Sequence, residues 1–302
     1  MPDHETLTTQ EPSRRHFLRS AGLGAAAWAV AHRAAAEAAA PSAEPAGKPA
    51  GKCPFALGLA SYTLRKFSLD EALAMTKRVG LKYICLKSFH LPLEASPEAI
   101  AAAAEKVKQS GLVLYGGGVI SMQNEAQVDQ AFDYAKAAGM TTIVAAPKPE
   151  VLPLVEKKVR QYGLQVAIHN HGPGDKVYPT PESVYEKVRG LDPRIGLCID
   201  IGHTARIGAD PVQSAEKYAD RLLDVHIKDV SAAAPKGQTV EIGRGVIDIP
   251  GFLRALLRIK YRGIVAFEHE KDEGDPLPGL AESVGYVRGV LALLAPEQAT
   301  SS

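Results

Sequence analysis

Short apolar runs alternate with longer segments of mixed character from Phe55 onward, and this unit recurs eight times. The runs have the length and composition of buried strands, and the segments between them space their apolar residues as amphipathic helices do. Residues 69–79, 97–109 and 128–138 are examples, and several segments begin near Pro or Asp and end at Gly. The predicted strands are residues 55–60, 83–86, 113–115, 142–145, 165–169, 195–199, 222–227 and 264–267.

Eight alternations of strand and helix predict an α/β fold, with a parallel sheet inside and helices outside. Eight is the number of strands that closes a (β/α)8 TIM barrel. An open, doubly wound sheet is the alternative, and it is disfavoured because no glycine-rich phosphate fingerprint follows the first predicted strand. We therefore expect a single barrel domain over residues 55–295.

The histidines of the barrel region all fall where such a fold carries out chemistry. Active sites of these barrels lie at the carboxyl-terminal ends of the strands, because residues from distant parts of the chain meet there. Three of the nine histidines precede the barrel, and the other six lie at or just after a predicted strand end. These six are His90, His169, His171, His203, His226 and His269.

The last four predicted strands end in residues that suit a metal ion. They read IHNHGPGD, CIDIGH, VHIKD and FEHE, and each offers one inward-facing candidate ligand. Two imidazoles and two carboxylates suit a single Mn²⁺, Co²⁺, Zn²⁺ or Fe²⁺ ion better than Mg²⁺ or Ca²⁺. Coordination positions left open on the ion would accept two oxygens of a sugar. The predicted ligands are His169, Asp200, His226 and Glu268.

The region from Phe55 to about Leu294 resembles the xylose isomerase-like barrel superfamily of sugar isomerases and epimerases. The matching segments are SYTLR at 61–65, IHNHG at 168–172, DIGH at 200–203, HIKD at 226–229 and FEHE at 267–270. The resemblance implies a TIM barrel whose metal ligands, usually Glu, Asp, His and Glu, come from strand ends five to eight. Asp200, His226 and Glu268 match that set in kind, whereas His169 stands where the family has Glu.

This departure bears on the reaction, because in the epimerases two glutamates exchange the substrate proton from opposite faces. The segment around His169, with LKSFHLP at 86–92, resembles a branch that includes lyases acting on 3-keto-glycosides. We expect isomerisation or epimerisation of a keto sugar. The alternative is the same proton removal followed by loss of a leaving group, as in a lyase or hydratase.

A metal ion that grips a ketone and a neighbouring hydroxyl stabilises the enediolate formed when the adjacent carbon loses its proton. Glu268 is the candidate base, and an imidazole is the alternative. Lys228 has the same strand parity as His226, so it is expected to face the pocket. His203 would bind a substrate oxygen, and His171 would orient its neighbour His169. The predicted catalytic residues are Glu268, His203, Lys228 and His171.

Further side chains near the predicted strand ends are candidates for holding the sugar. Tyr62 follows the first strand, and Lys87 and His90 follow the second. Asn170 lies inside the IHNHG segment, and Arg244 lies in a glycine-containing loop after strand seven. Arg244 is a possible anion contact, although the sequence contains no convincing phosphate cradle. We therefore expect a neutral sugar or glycoside as substrate.

The first fifty residues have the pattern of an export signal. SRRHFLR at 13–19 and the weakly apolar run at 21–31 resemble a twin-arginine signal for export to the periplasm. An alanine-rich tail with a chance arginine pair is the alternative. We expect a signal peptide over residues 1–40, a linker over 41–54 and a disordered tail over 296–302, with no stable membrane anchor.

Charge and cysteine content argue against some classes of function for this protein. The 35 Lys and Arg residues nearly balance the 34 Asp and Glu residues, so nucleic acid is an unexpected partner. This balance and the export signal argue against a DNA-repair endonuclease of the same superfamily. A sugar-binding barrel without catalytic activity is a further alternative. Cys85 and Cys198 are expected to be buried core residues, and a homodimer is possible.

Overall fold

The computed structural model describes residues 53–294. The predicted signal peptide, all but the end of the linker and the tail at 296–302 lie outside the described residues. Eight parallel strands form a closed barrel in the order β1 to β7 followed by β10, which pairs with β1. The predicted TIM barrel is therefore confirmed. Its strands are β1 Ala56–Ala60, β2 Tyr83–Leu86, β3 Val113–Met122, β4 Thr142–Pro147, β5 Gln165–His169, β6 Ile195–Asp200, β7 Leu222–Ile227 and β10 Ile264–Phe267.

Helices surround the barrel, and local signals in the sequence set where several of them begin. Ser68 caps the first helix by accepting a hydrogen bond from the backbone of Glu71, whose side chain bonds back to Ser68. Gly163 ends the fourth helix in the left-handed conformation, with φ of 72°. The helices are α1 Leu69–Arg78, α2 Pro97–Gln109, α3 Glu125–Ala137, α4 Leu152–Tyr162, α5 Pro181–Val188, α6 Ile201–Arg206, α7 Pro211–Lys217, α8 Ile249–Arg258 and α9 Leu277–Leu294.

A small hairpin that the sequence pattern did not predict interrupts the loop after β7. Its strands are β8 Asp229–Val230 and β9 Thr239–Val240, which pair antiparallel. The buried Asp229 carboxylate organises this loop, because it accepts hydrogen bonds from the backbone of Gly243 and Gly245, both at 3.0 Å. Strands of two residues carry too little periodicity to be read from a sequence.

Two layers of buried side chains support the barrel. The larger layer fills the space between the strands and the outer helices. The smaller layer lies inside the barrel and contains Tyr115, Cys85 and Cys198 among several alanines. Burial raises the pKa of both thiols, which keeps them neutral. The two cysteines are thus core residues, as expected.

The last helix, α9, is long and apolar enough to cross a membrane by length and composition alone. Its contacts instead tie it to the barrel. Leu280, Val284 and Val287 are buried, and Arg288 donates hydrogen bonds to the carbonyl oxygens of Val79 and Gly80 after α1. These contacts are those of a helix that covers one side of a barrel.

Candidate metal-binding active site

Four buried side chains converge where β5, β6, β7 and β10 end, at the carboxyl-terminal end of the barrel, here called the mouth. His169 Nε2 lies 3.1 Å from His226 Nδ1 and 3.4 Å from Asp200 Oδ2. His226 Nδ1 lies 3.3 Å from Glu268 Oε2. Ligand atoms of all four residues lie within 4.8 Å of one another. The structure therefore brings together the four residues that the sequence predicted as ligands.

These distances fit a divalent ion. Zinc holds nitrogen and oxygen ligands at about 2.0–2.2 Å, which places neighbouring atoms of a tetrahedron roughly 3.3–3.6 Å apart. Two imidazole nitrogens that face each other at 3.1 Å repel unless a proton or a cation lies between them. In addition, the buried Asp200 Oδ2 lies 3.4 Å from His169 Nε2, so a carboxylate oxygen faces the same point as the imidazoles. The geometry and the donor types both suit a borderline metal.

The protonation states of the group also favour metal binding. Burial would raise the pKa of Asp200, but His203 and Lys228 hold it well below its usual range. Glu268 follows the same pattern, because Lys228 and His226 offset its burial and lower its pKa. Burial lowers the pKa of His169 well below its usual value. The carboxylates are therefore ionised and His169 is neutral, as metal ligands must be.

A buried ammonium group lies beside the candidate ligands. Lys228 Nζ is 2.9 Å from Asp200 Oδ2 and 2.8 Å from Glu268 Oε2. These carboxylates, together with Glu270, raise the pKa of Lys228 against the effect of burial. Gly202 makes room for the lysine, since a Cβ there would lie 2.4 Å from Lys228 Cγ. The glycine of the DIGH segment is thus needed so that the Lys228 side chain can pack against the backbone.

Glu270 belongs to the site although the sequence analysis did not single it out. Its carboxylate forms a close ion pair with Lys228, and its side chain is 26% exposed where that of Glu268 is 4% exposed. Glu270 is therefore the carboxylate that faces the opening. Its position two residues after Glu268 gives it the same strand parity, a signal that could have identified it.

His203 lies beside Asp200. Its contact with Arg206 determines which of its ring nitrogens carries the proton. Its Nε2 is 3.8 Å from Asp200 Oδ2, and its Nδ1 is 3.0 Å from Arg206 Nη2. A guanidinium can only donate, so Nδ1 must accept and Nε2 must carry the proton. Burial also lowers the pKa of His203. The imidazole is therefore neutral and presents an N–H donor to the pocket.

We expect Arg206→Gln to allow the other tautomer of His203, because a glutamine amide offers an acceptor as well as a donor. Long-range ¹H–¹⁵N NMR of labelled imidazoles will show a single Nε2–H form in the wild-type protein and a mixture in the variant. Arg254→Gln serves as the control, since Arg254 is an exposed residue of α8. An unchanged His203 spectrum in Arg206→Gln would contradict this assignment.

Several predicted substrate contacts have structural partners instead. Asn170 is committed to Asp200, since its Oδ1 accepts from the Asp200 backbone and its Nδ2 donates to the Asp200 carbonyl oxygen. His90 is buried, with one ring nitrogen 2.9 Å from Ser61 Oγ and the other 3.1 Å from the Phe67 carbonyl oxygen. Both residues therefore hold the walls of the site in position.

The remaining predicted residues divide between the site and its surroundings. Lys87 Nζ lies 3.4 Å from Glu268 Oε1, and it lies 5.2 Å from the centre of the Tyr62 ring. His171 lies with its ring centre 4.6 Å from that of His169. Arg244 is not brought into this group, because its exposed guanidinium makes an ion pair with Glu282 on α9.

Comparison with known proteins gives sequence relatives that match over part of their length. The chain is 28% identical over 145 residues to the rhizopine catabolism protein MocC of Rhizobium meliloti, which covers 43% of this chain and 44% of that protein. It is also 28% identical over 145 residues to an inosose dehydratase of Geobacillus kaustophilus (strain HTA426), covering 43% and 45%. The matches thus span less than half the length of these relatives.

Solved structures show the same fold over most of the barrel. The crystal structure of the IOLI protein with a bound zinc atom superposes with a TM-score of 0.65 and 19% sequence identity, covering 80% of this chain and 98% of that one. At this identity the likeness concerns the fold. The sequence profile of a protein family described as xylose isomerase-like TIM barrel matches residues 33–290. With its closed eight-stranded barrel, the chain therefore belongs to the xylose isomerase-like TIM barrel family.

Proposed function

We propose that this protein is a divalent-metal-dependent enzyme that removes a proton next to the ketone of a keto sugar or keto glycoside. The observation that carries the proposal is the convergence of His169, Asp200, His226 and Glu268 at the mouth, with ligand atoms within 4.8 Å of one another. Ionisable groups clustered at the mouth of such a barrel are the usual basis of catalysis in this fold.

Those four residues would hold the ion, and their mixture of nitrogen and oxygen donors favours Mn²⁺, Co²⁺, Zn²⁺ or Fe²⁺. An ion held there would supply Lewis-acid polarisation of the ketone and so make the neighbouring C–H more acidic. The inosose dehydratase relative and the zinc bound in the IOLI protein are consistent with such chemistry.

The surrounding residues have complementary roles in this proposal. Glu268 takes the proton, since its Oε1 faces Lys87 and its Oε2 faces Lys228, and these two cations keep it ionised. His203 donates its Nε2–H to a substrate oxygen. The Lys228 ammonium, within 2.8 Å of Glu268, stabilises negative charge that develops on the substrate.

We propose further that elimination follows proton removal, so that the enzyme is a lyase or dehydratase. The carboxylates of Glu268 and Glu270 both follow β10 and therefore lie on one side of the pocket. Epimerisation needs a proton to return on the opposite face, where β5 contributes His169 in place of a glutamate. Elimination needs one base and a donor to the leaving group, which these residues supply.

Epimerisation is the second candidate, because one observation favours it. His171 stands beside His169 on the β5 side, and its side chain is 34% exposed. Burial lowers its pKa, so it is a neutral imidazole able to accept or return a proton on that face.

Deuterium exchange followed by NMR tests the proposed function. The full-length protein in D₂O, with Mn²⁺, Co²⁺ or Zn²⁺ added in turn, is supplied with ketoses and 3-keto-glycosides. We expect metal-dependent exchange at the carbon beside the ketone and an unsaturated product, both lost in Glu268→Gln and retained in the surface control Glu282→Gln. A product of inverted configuration would show epimerisation instead. Absence of both exchange and an unsaturated product with every metal and substrate would overturn the proposal.

A further inference from the structure

An exposed phenylalanine lies beside the candidate active site. Phe89 is 47% exposed, although nearly all large apolar side chains among residues 53–294 are at least partly buried. It lies in the loop that follows β2, on the same end of the barrel as the candidate metal ligands. Its exposure beside the site indicates an apolar surface that is available to a ligand.

Phe89 forms one wall with a second aromatic ring. Tyr62, which follows the neighbouring strand β1, lies with its ring centre 6.2 Å from that of Phe89 at an angle of 51°. The His90 and Phe89 rings form a T-shaped pair, with ring centres 4.8 Å apart. His90 is itself held by Ser61 and by the Phe67 carbonyl oxygen. The two rings are therefore held in place by the fold.

The wall connects directly to the candidate reaction centre. Lys87 Nζ lies 5.2 Å from the centre of the Tyr62 ring and 3.4 Å from Glu268 Oε1, so one lysine side chain separates the wall from Glu268. The Arg65 guanidinium also lies near this ring, 4.8 Å from its centre, and pairs with Glu273. Apolar faces are thus combined with hydrogen-bond donors, as in sites that bind sugars.

We infer that Tyr62 and Phe89 form a second subsite that binds the ring attached to the reacting keto sugar, so that the substrate is a glycoside and not a free keto monosaccharide. This inference rests on the proposed function of the metal-binding group. The C–H face of a second sugar, or an aromatic aglycone, stacks on the two rings. Lys87 and Arg65 donate hydrogen bonds to its oxygens. Two rings are a small area compared with a patch for a protein partner.

A fluorescent reporter tests the subsite without turnover. Trp28 is the single tryptophan of the chain, so Trp28→Phe combined with Phe89→Trp places the only tryptophan on the wall. We expect a saturable change in its emission with an aryl 3-keto-glucoside and a clearly weaker response to free 3-keto-glucose. The matched control combines Trp28→Phe with Leu293→Trp, at a position 87% exposed on α9, and is expected not to respond.

Steady-state kinetics of Phe89→Ala provide the second measurement. We expect kcat/KM for the keto-glycoside to fall roughly 10-fold, mainly through KM, as for the loss of one apolar contact with a substrate. The value for a free keto sugar is expected to fall much less. Leu293→Ala is the control for removing an exposed apolar side chain. An equal loss for both substrates, or no loss for the glycoside, would overturn the subsite.

The two experiments separate this inference from the proposed function. If the wild-type protein turns over neither substrate while the reporter saturates with the aryl glycoside, the proposed function fails and the subsite stands. If keto-glycosides are turned over but the reporter gives the same response to both sugars, the proposed function stands and the subsite fails.

Discussion

Replacing Asp200 by asparagine will lower the affinity of the protein for divalent ions by more than about 100-fold. Loss of a hydrogen-bond partner of a metal ligand costs about 10–100-fold, and this substitution removes the charge of a ligand itself. The amide keeps the oxygen that accepts from the backbone N–H of His203 at 2.7 Å, so the start of α6 is retained. Metal content after dialysis and calorimetric titration with Zn²⁺ and Mn²⁺ measure the effect.

The control for this experiment is Glu282→Gln, which removes a carboxylate that pairs with Arg244 on the surface. Its metal stoichiometry and affinity are expected to equal those of the wild-type protein. Far-ultraviolet circular dichroism of Asp200→Asn will show whether the fold is kept. Wild-type affinity in a folded Asp200→Asn variant would exclude these four residues as a metal site.

Lys228→Met will strongly destabilise the metal-free protein and much less the metal-loaded protein. The Lys228 side chain is 3% exposed, and its ammonium forms ion pairs with Asp200, Glu268 and Glu270. Breaking a buried ion pair by removing one partner costs about 3–5 kcal/mol, because the remaining charges lose their compensation. A divalent ion bound to Asp200 and Glu268 would supply positive charge to the same two carboxylates. Urea unfolding in EDTA and in excess Zn²⁺ gives the two free energies.

Lys106→Met is the matched control, because Lys106 pairs with Asp70 at 2.9 Å on the surface, where its side chain is 50% exposed. Such exposed pairs contribute about 1 kcal/mol or less, and added metal is not expected to change that value. If Lys228→Met is as stable as the wild-type protein in EDTA, the lysine does not compensate the charge of the carboxylates beside it. If added metal does not increase the free energy of unfolding of Lys228→Met, the lysine and the ion do not interact with the same carboxylates.

One ammonium against three carboxylates leaves two negative charges at the site, which a divalent ion would balance. Without metal, the ammonium lies against Asp200 Oδ2 and Glu268 Oε2, the same carboxylates that are candidate ligands. With metal, the lysine still has Glu270 as a partner. Glu270 thus allows a buried cation to remain beside a bound cation at acceptable electrostatic cost.

Much of the scaffold could be predicted from local patterns. The predicted bounds of residues 83–86, 165–169, 222–227 and 264–267 coincide with β2, β5, β7 and β10. Strand β3 runs to Met122, beyond the predicted residues 113–115, because its glycines allow close approach of β4. A Cβ on Gly118 would lie 2.0 Å from the Val144 carbonyl oxygen. Glycine in a sequence indicates a turn more readily than such an approach.

The barrel and the candidate ligands His169, Asp200, His226 and Glu268 could be predicted from the chain, because strand periodicity and strand ends are local properties. The contacts between side chains of different strands became visible only in the folded protein. The contact of Lys228 with Glu270, the donation from Arg206 to His203 and the ring pair of Tyr62 and Phe89 are of this kind. These contacts depend on the register between strands and on the rotamers of long side chains. Neither produces a periodic pattern in the sequence.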